Sequence, residues 1–421
     1  MNVYGILILC ALVLHYLIEL IADFLNIKAL DPELPEEFRG VYDQQKYRRS
    51  QEYTRVKTRL GIVTATFDLL LLLVFWFTGG FNYLDQRVHA LGLSPVSEGL
   101  VYIGVLLAAK TILSLPFGIY STFVIEERFG FNRTTVRTFI LDLLKGFALA
   151  IVLGGPLLAA ILFFFTTIGS SAWIYCWLAT TAFTLLIQFI APIWIMPLFN
   201  KFTPLEEGEL KTAILNYAKS VDFPLKNVFV VDGSRRSSKA NAFFTGFGKN
   251  RRVALFDTLI EKFSPAELTA IVAHEIGHYK KRHLQKSMAI GILHLGVILY
   301  LLSIFLHHQG LFAAFFMDRT SIHAGLIFFS LLLTPLELPL GLIMNTLSRK
   351  HEFEADCFAV TTTGDGEILI TALKKLAADN LANLTPHPLQ VALHYSHPPM
   401  LQRINAIRRC GRVSAQQVHP H

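Results

Sequence analysis

The chain has 421 residues, 53% of them hydrophobic and only 16% charged, with a mean hydropathy of +0.47. Ordinary globular domains carry about 25% charged residues, so this composition excludes a wholly soluble protein, and with it the disordered, collagen-like and disulfide-rich classes. The formal net charge of +7 leaves a nucleic-acid partner open until the charges are placed along the chain.

Crossing a bilayer core takes about 20 mostly apolar residues. Runs of that kind fall at 4–26, 60–79, 98–122, 138–168, 172–198, 288–308 and 324–346. The first has no basic segment before it and no small-residue cleavage site, so it reads as a retained anchor and not a removable signal. The fourth is long and contains Gly154, Gly155 and Pro156, a natural place to bend. Lys and Arg then test the topology, because cytoplasmic segments are rich in both. The segments 27–59, 123–137, 199–287 and 347–421 hold 34 of them, against 2 (Arg87 and Arg319) in the alternate connections. The pattern predicts seven spans, an outside N-terminus and a cytosolic C-terminus. It also removes the nucleic-acid reading, since the charge marks a membrane face.

The expected organisation is spans one to five in 1–198, a first cytosolic part in 199–287, spans six and seven in 288–346, and a second cytosolic part in 347–421. The two cytosolic parts, of 89 and 75 residues, together make one domain-sized unit, mostly helical. Within it, 227–232 is β-like, and 242–247 and 252–256 flank a Gly248-Lys249-Asn250 turn, the signature of a small β-hairpin. The predicted fold class is thus an all-α, polytopic membrane protein with a small hairpin in its extramembrane domain. Cys10, Cys176, Cys357 and Cys410 contain no C-x-x-C pair, which excludes a cysteine zinc knuckle and gives no disulfide framework.

The chemistry is concentrated at 264–287. Ser264, Pro265 and Glu267 are helix-start residues, and on the helix that follows His274 and His278 stand four apart on one face, the spacing of two ligands of one Zn²⁺. Glu275 lies beside them, placed to act as general base and then to return the proton to a leaving amine. A third histidine six residues on would make a different zinc-protease pattern, but that position is Leu284. The third ligand must come from farther away. The stretch Ser348–Asp356 offers Glu352, Glu354 and Asp356; Glu352 lies 74 residues beyond His278, with two spans between that cross and return to the same side. Glu352 and Asp356 share a helical face, so Asp356 can accept a hydrogen bond from a ligand histidine's other nitrogen. Glu354 points elsewhere on such a helix, and His351 reads as a flanking residue.

At these residues the chain resembles the CAAX prenyl protease 1 family, integral-membrane zinc metalloproteases of seven spans. The matching blocks are 125–132 (IEERFGFN), 197–204 (PLFNKFTP), 239–247 (KANAFFTGF), 274–278 (HEIGH), 348–356 (SRKHEFEAD) and 395–399 (YSHPP) followed by Arg403. The resemblance implies one zinc ion per chain held by His274, His278 and Glu352, with Glu275 as base and Asp356 in support. It further implies that His397 polarises the scissile carbonyl, and that Arg403 supports this corner or meets the substrate's carboxylate end. The segment Asn241-Ala242-Phe243 looks like the family's substrate-pairing edge strand; read without the resemblance, it is an ordinary hairpin strand with aromatic packing. The family's hydrated intramembrane chamber would also accommodate the ionisable residues within the spans, Asp68, Lys110 and Glu337 above all, which are costly in lipid.

The implied activity is removal of the C-terminal tripeptide from a prenylated protein by a monomeric enzyme embedded in membrane lipid. Two alternatives stay open at this point: a membrane-protein quality-control metalloprotease, and a zinc transporter or sensor using the same ligands. The C-terminal sequence lacks a dilysine or KDEL-type signal, which leans the expectation toward a bacterial cytoplasmic membrane over the endoplasmic reticulum.

Overall fold

A computed structural model describes residues 1–225, 227–245 and 252–418, except for the side chains of Ser170, Thr245 and 413–418. Its apolar runs are helices. The first span is Val3–Lys28, the second Gln44–Phe77 and the third Pro95–Tyr120 with a π-helical continuation to Glu126. The fourth is Val136–Leu149 and Gly155–Thr167, joined through a π-helical stretch, Ala150–Gly154, where the Gly-Gly-Pro sequence falls. The fifth begins as Ala172–Ile190 and the sixth is His283–Phe305. The run expected at 324–346 is broken: Ile322–Leu332 and Thr334–Thr363 meet at 57°. Pro335 in the first turn of the second helix is the physical reason, since its ring and missing N–H suit a helix start and disrupt a helix interior. That second helix continues without a break past residue 346, so the last membrane segment and the Glu352 segment form one rod.

Neighbouring spans pack in sequence. The first lies on the second and on both halves of the seventh, the second on the third, the third on the Gly155–Thr167 half of the fourth, and so on to the sixth. Burial is confined to their ends. No residue is buried across 9–21, 54–75, 104–124, 139–161, 177–191, 284–298 or 335–350, the middle of each of the seven spans. A solid bundle would have a core there; a wall one helix thick around an open interior has none. The total accessible surface of 21753 Å² says the same, against roughly 16,000 Å² expected for a compact monomer of this mass. Asp68 on the second span pairs with Lys110 on the third within this uncored zone. Pairing offsets part of the cost such charges carry at membrane depth.

Buried clusters lie at both ends. At one end Ile8, Trp76, Phe81, Tyr102, Phe312, Phe315 and Phe328 interlock, with Trp76 donating its indole N–H to Ala314 O at 2.8 Å. At the other lies the extramembrane core, built on the helix Pro265–Lys280. The expected hairpin is present but belongs to a larger mixed sheet. β1 (Phe202–Pro204), β2 (Asn227–Val231), β3 (Ala242–Thr245) and β4 (Arg252–Phe256) stand in the order β1-β2-β4-β3. β3 and β4 are antiparallel, β2 and β4 parallel, and β1 antiparallel to β2. The Gly248-Lys249-Asn250 turn lies outside the described residues. The cysteine expectation is corrected as well: Cys357 and Cys410, 53 residues apart, form a disulfide that ties Thr334–Thr363 to the C-terminal helix Met400–Val418. Such a pairing across two helices leaves no spacing signal.

Candidate metal centre

Ser264 and Glu267 start the motif helix with a reciprocal cap: Glu267 N donates to Ser264 Oγ at 3.3 Å and Ser264 N to Glu267 Oε2 at 2.8 Å. The helix is buried along most of its length and crosses Thr334–Thr363 at Gly277. A Cβ built on Gly277 would lie 3.0 Å from Ala355 O, so glycine is what allows the two backbones to approach this closely. The crossing brings His274 and His278 opposite Glu352. Their Nε2 atoms are 3.1 Å apart; His274 Nε2 is 3.4 Å from Glu352 Oε2, and His278 Nε2 is 3.1 Å from Glu352 Oε1.

These separations fit a metal ion. Bonds of about 2.0–2.1 Å in a tetrahedral site imply roughly 3.3 Å between ligand atoms. Glu352 Oε2 is also buried with no hydrogen-bond partner among the described residues, its contacts with His274 Nε2 and Arg403 Nη1 at 3.4 and 3.7 Å being ion-pair contacts, so a lone pair is free for a cation. His274 Nδ1 lies 2.8 Å from Asp356 Oδ1, and Asp356 in turn receives a two-pronged contact from Arg403, Nε at 2.8 Å and Nη2 at 2.6 Å. Burial opposes the charged form of His274, but the Asp356 carboxylate and the contact with Glu352 outweigh it and bring the ring up to about 9. Glu275 is shifted up as well, chiefly by desolvation; the two histidines beside it pull the other way.

The remaining expected residues gather around this cluster. His397 Nε2 stands 3.5 Å from Glu352 Oε1, on an exposed turn where Ser396 Oγ and His397 Nδ1 are 3.0 Å apart. Arg403 is buried, its fork committed to Asp356 and its Nη1 3.7 Å from Glu352 Oε2. Ala242 and Phe243 lie on β3, one of the two edge strands of the sheet, with Asn241 exposed just before it, and β3 adjoins the motif helix.

One residue escaped sequence reasoning, and it brings in Glu354, which the helical pattern directs elsewhere. His283 Nδ1 is 3.0 Å from His278 Nδ1, and His283 Nε2 is 3.0 Å from Glu354 Oε2. A spacing of five puts residues on different helical faces, so the contact exists only because the helix breaks at Arg282, which takes a left-handed φ of 57°. No local pattern announces that break.

A ring of membrane helices with a two-histidine, one-glutamate site at one end defines a membrane-embedded metallopeptidase. Family models agree in two consecutive pieces: residues 23–201 match the CAAX prenyl protease N-terminal domain of five membrane helices, and 204–410 match peptidase family M48. The chain belongs to the CAAX prenyl protease 1 family. It is 39% identical to the CAAX prenyl protease 1 homolog of Arabidopsis thaliana, covering 94% of this chain and 95% of that one. To CAAX prenyl protease 1 of Saccharomyces cerevisiae it is 35% identical, with 90% and 89% covered. The crystal structure of S. mikatae Ste24p superposes with a TM-score of 0.91 at 34% identity, covering 97% of this chain and 99% of that one. The chain is therefore a metalloendopeptidase and an integral, multi-pass membrane protein.

Proposed function

We propose that this enzyme is a zinc endopeptidase that removes the C-terminal tripeptide from prenylated CAAX proteins at the cytosolic face of its membrane, working as a monomer. The observation that carries the reading is the meeting of His274, His278, Glu352 and Glu275 at the end of an open, lipid-embedded interior able to admit a chain that is part peptide and part hydrocarbon. The orientation rests on the 34-to-2 distribution of basic residues. His274, His278 and Glu352 would hold the zinc, which when bound supplies a Lewis acid and makes hydroxide available near neutral pH.

The chain's own residues account for the rest. Glu275, desolvated and so of raised proton affinity, takes a proton from the attacking water and delivers it to the amine nitrogen as the peptide bond breaks. His397 hydrogen-bonds the scissile carbonyl oxygen as negative charge develops on it. The free edge of β3 pairs with the extended substrate backbone, and Asn241 meets a substrate carbonyl. Asp356 fixes the orientation of His274, and Arg403 holds Asp356.

The test is hydrolysis of a farnesylated CAAX peptide beside its unlipidated twin, by wild type and Glu275→Gln. Wild type should cleave the lipidated peptide preferentially, and the variant should cleave neither. Equal cleavage of the two peptides would move the reading to general membrane-protein quality control. Full activity of Glu275→Gln with zinc flux across vesicles would point to a transporter.

A further inference from the structure

The two metal-facing histidines are backed by different partners. Behind His274 stands a carboxylate, Asp356, anchored by Arg403. Behind His278 stands another histidine, and the tautomers of this second chain follow from one fixed end. Glu354 lies 3.9 Å from Lys350 and faces His283 Nε2 at 3.0 Å. An ionised carboxylate only accepts hydrogen bonds, so His283 Nε2 carries the proton. A neutral His283 then has its lone pair on Nδ1, which can only accept, so His278 Nδ1, 3.0 Å away, carries a proton. His278 is thereby left with its lone pair on Nε2, the atom that faces His274 and Glu352. The ring of His283 is buried and stacks on His351 at 4.0 Å and 11°, which prevents it from turning away.

We propose that His283, oriented by Glu354, is a positioning residue for the metal: it accepts the Nδ1–H of His278 and so presents the His278 Nε2 lone pair to the ion. The inference rests on the zinc reading above. It accounts for the left-handed Arg282, a conformation that a non-glycine residue rarely adopts and that here swings His283 under His278. It also gives Glu354, which the helical pattern directs away from the ligands, a route to them through one ring.

The test is zinc affinity by chelator competition on the full chain in detergent, with the visible spectrum of the Co²⁺-substituted protein as a reporter of ligand geometry. His283→Phe keeps a ring against His351 but removes the acceptor; it should bind zinc about 10–100-fold more weakly and alter the Co²⁺ spectrum. His283→Asn places an amide oxygen near the position of Nδ1 and should stay within about threefold of wild type. Zinc binding by His283→Phe within twofold of wild type, or His283→Asn as weak as His283→Phe, would overturn the proposal. Should His283→Phe not fold, Glu354→Leu replaces it: a loss of threefold or more supports the relay, and unchanged affinity refutes it. A wild-type chain that binds no zinc overturns the metal reading and this inference together, whereas normal wild-type binding with an unaffected His283→Phe overturns this inference alone.

Discussion

Two buried clusters of nearly the same composition sit at opposite ends of this molecule. Toward the extramembrane domain are His274, His278, Glu352, Asp356 and Arg403; at the other end are Asp85, Glu98, His323 and Arg319. Each combines two acids, an arginine and at least one histidine, and each brings three potential ligand atoms within 4.8 Å of one another. The arginine separates them. Arg319 enters between the acids, with Nε 2.6 Å and Nη2 3.1 Å from Asp85 and a further contact to Glu98, while His323 takes the remaining side of Asp85 at 2.7 Å. The charge is met. Arg403 instead commits its fork to Asp356 and reaches Glu352 Oε2 only at 3.7 Å, leaving the two Nε2 atoms and Glu352 facing one another with one buried oxygen that lacks a hydrogen bond. Ligand types do not make a metal site unless the balancing cation is kept out of its centre.

The sharpest contrast should come from paired substitutions. Glu275→Gln should reduce peptide hydrolysis by about 10³-fold or more while metal content is unchanged, read by steady-state kinetics beside elemental analysis. At the other end, Asp85→Asn should leave metal content alone and lower stability by about 3 kcal/mol, because Arg319 loses its buried partner; thermal unfolding in detergent measures it. Glu98 and the partial exposure of Arg319 keep that figure at the low end of the usual range.

A smaller effect should follow from widening the helix crossing. Gly277→Ala pushes against the Ala355 backbone and separates the histidines from Glu352, so metal affinity should fall about tenfold with little change in helix content. The pH dependence comes last. His274 holds its proton up to about 9 in the metal-free fold, above its ordinary 6.5. The stability it contributes is therefore fully present below 6.5 and lost as pH rises through 9. A metal must displace that proton, so apparent affinity should climb by up to about tenfold per pH unit across this window, with proton release visible by calorimetry in buffers of different ionisation enthalpy.

Much of this was legible in the sequence for identifiable reasons. Span positions follow from the requirement that lipid-exposed backbone be apolar and helical. The motif helix could be located because Ser264, Pro265 and Glu267 cap it within one turn. What stayed hidden depended on partners distant in the chain. β1 is three residues long and ends in proline, so only its pairing with β2 makes it a strand. The break near Leu333 is an exception, since Pro335 marks it locally, but the apolar residues on both sides of it read as one span. The His283 contact needs a left-handed residue that local sequence does not call for, and the Asp85–His323 cluster joins residues 238 positions apart.

The most direct test of the account is the number of metal ions bound per chain in wild type, Glu352→Ala and His323→Ala, measured by elemental analysis of folded, detergent-purified protein. One ion per chain in wild type and His323→Ala, with almost none in Glu352→Ala, is the predicted result. An undiminished metal content in Glu352→Ala, or a loss in His323→Ala, would contradict it.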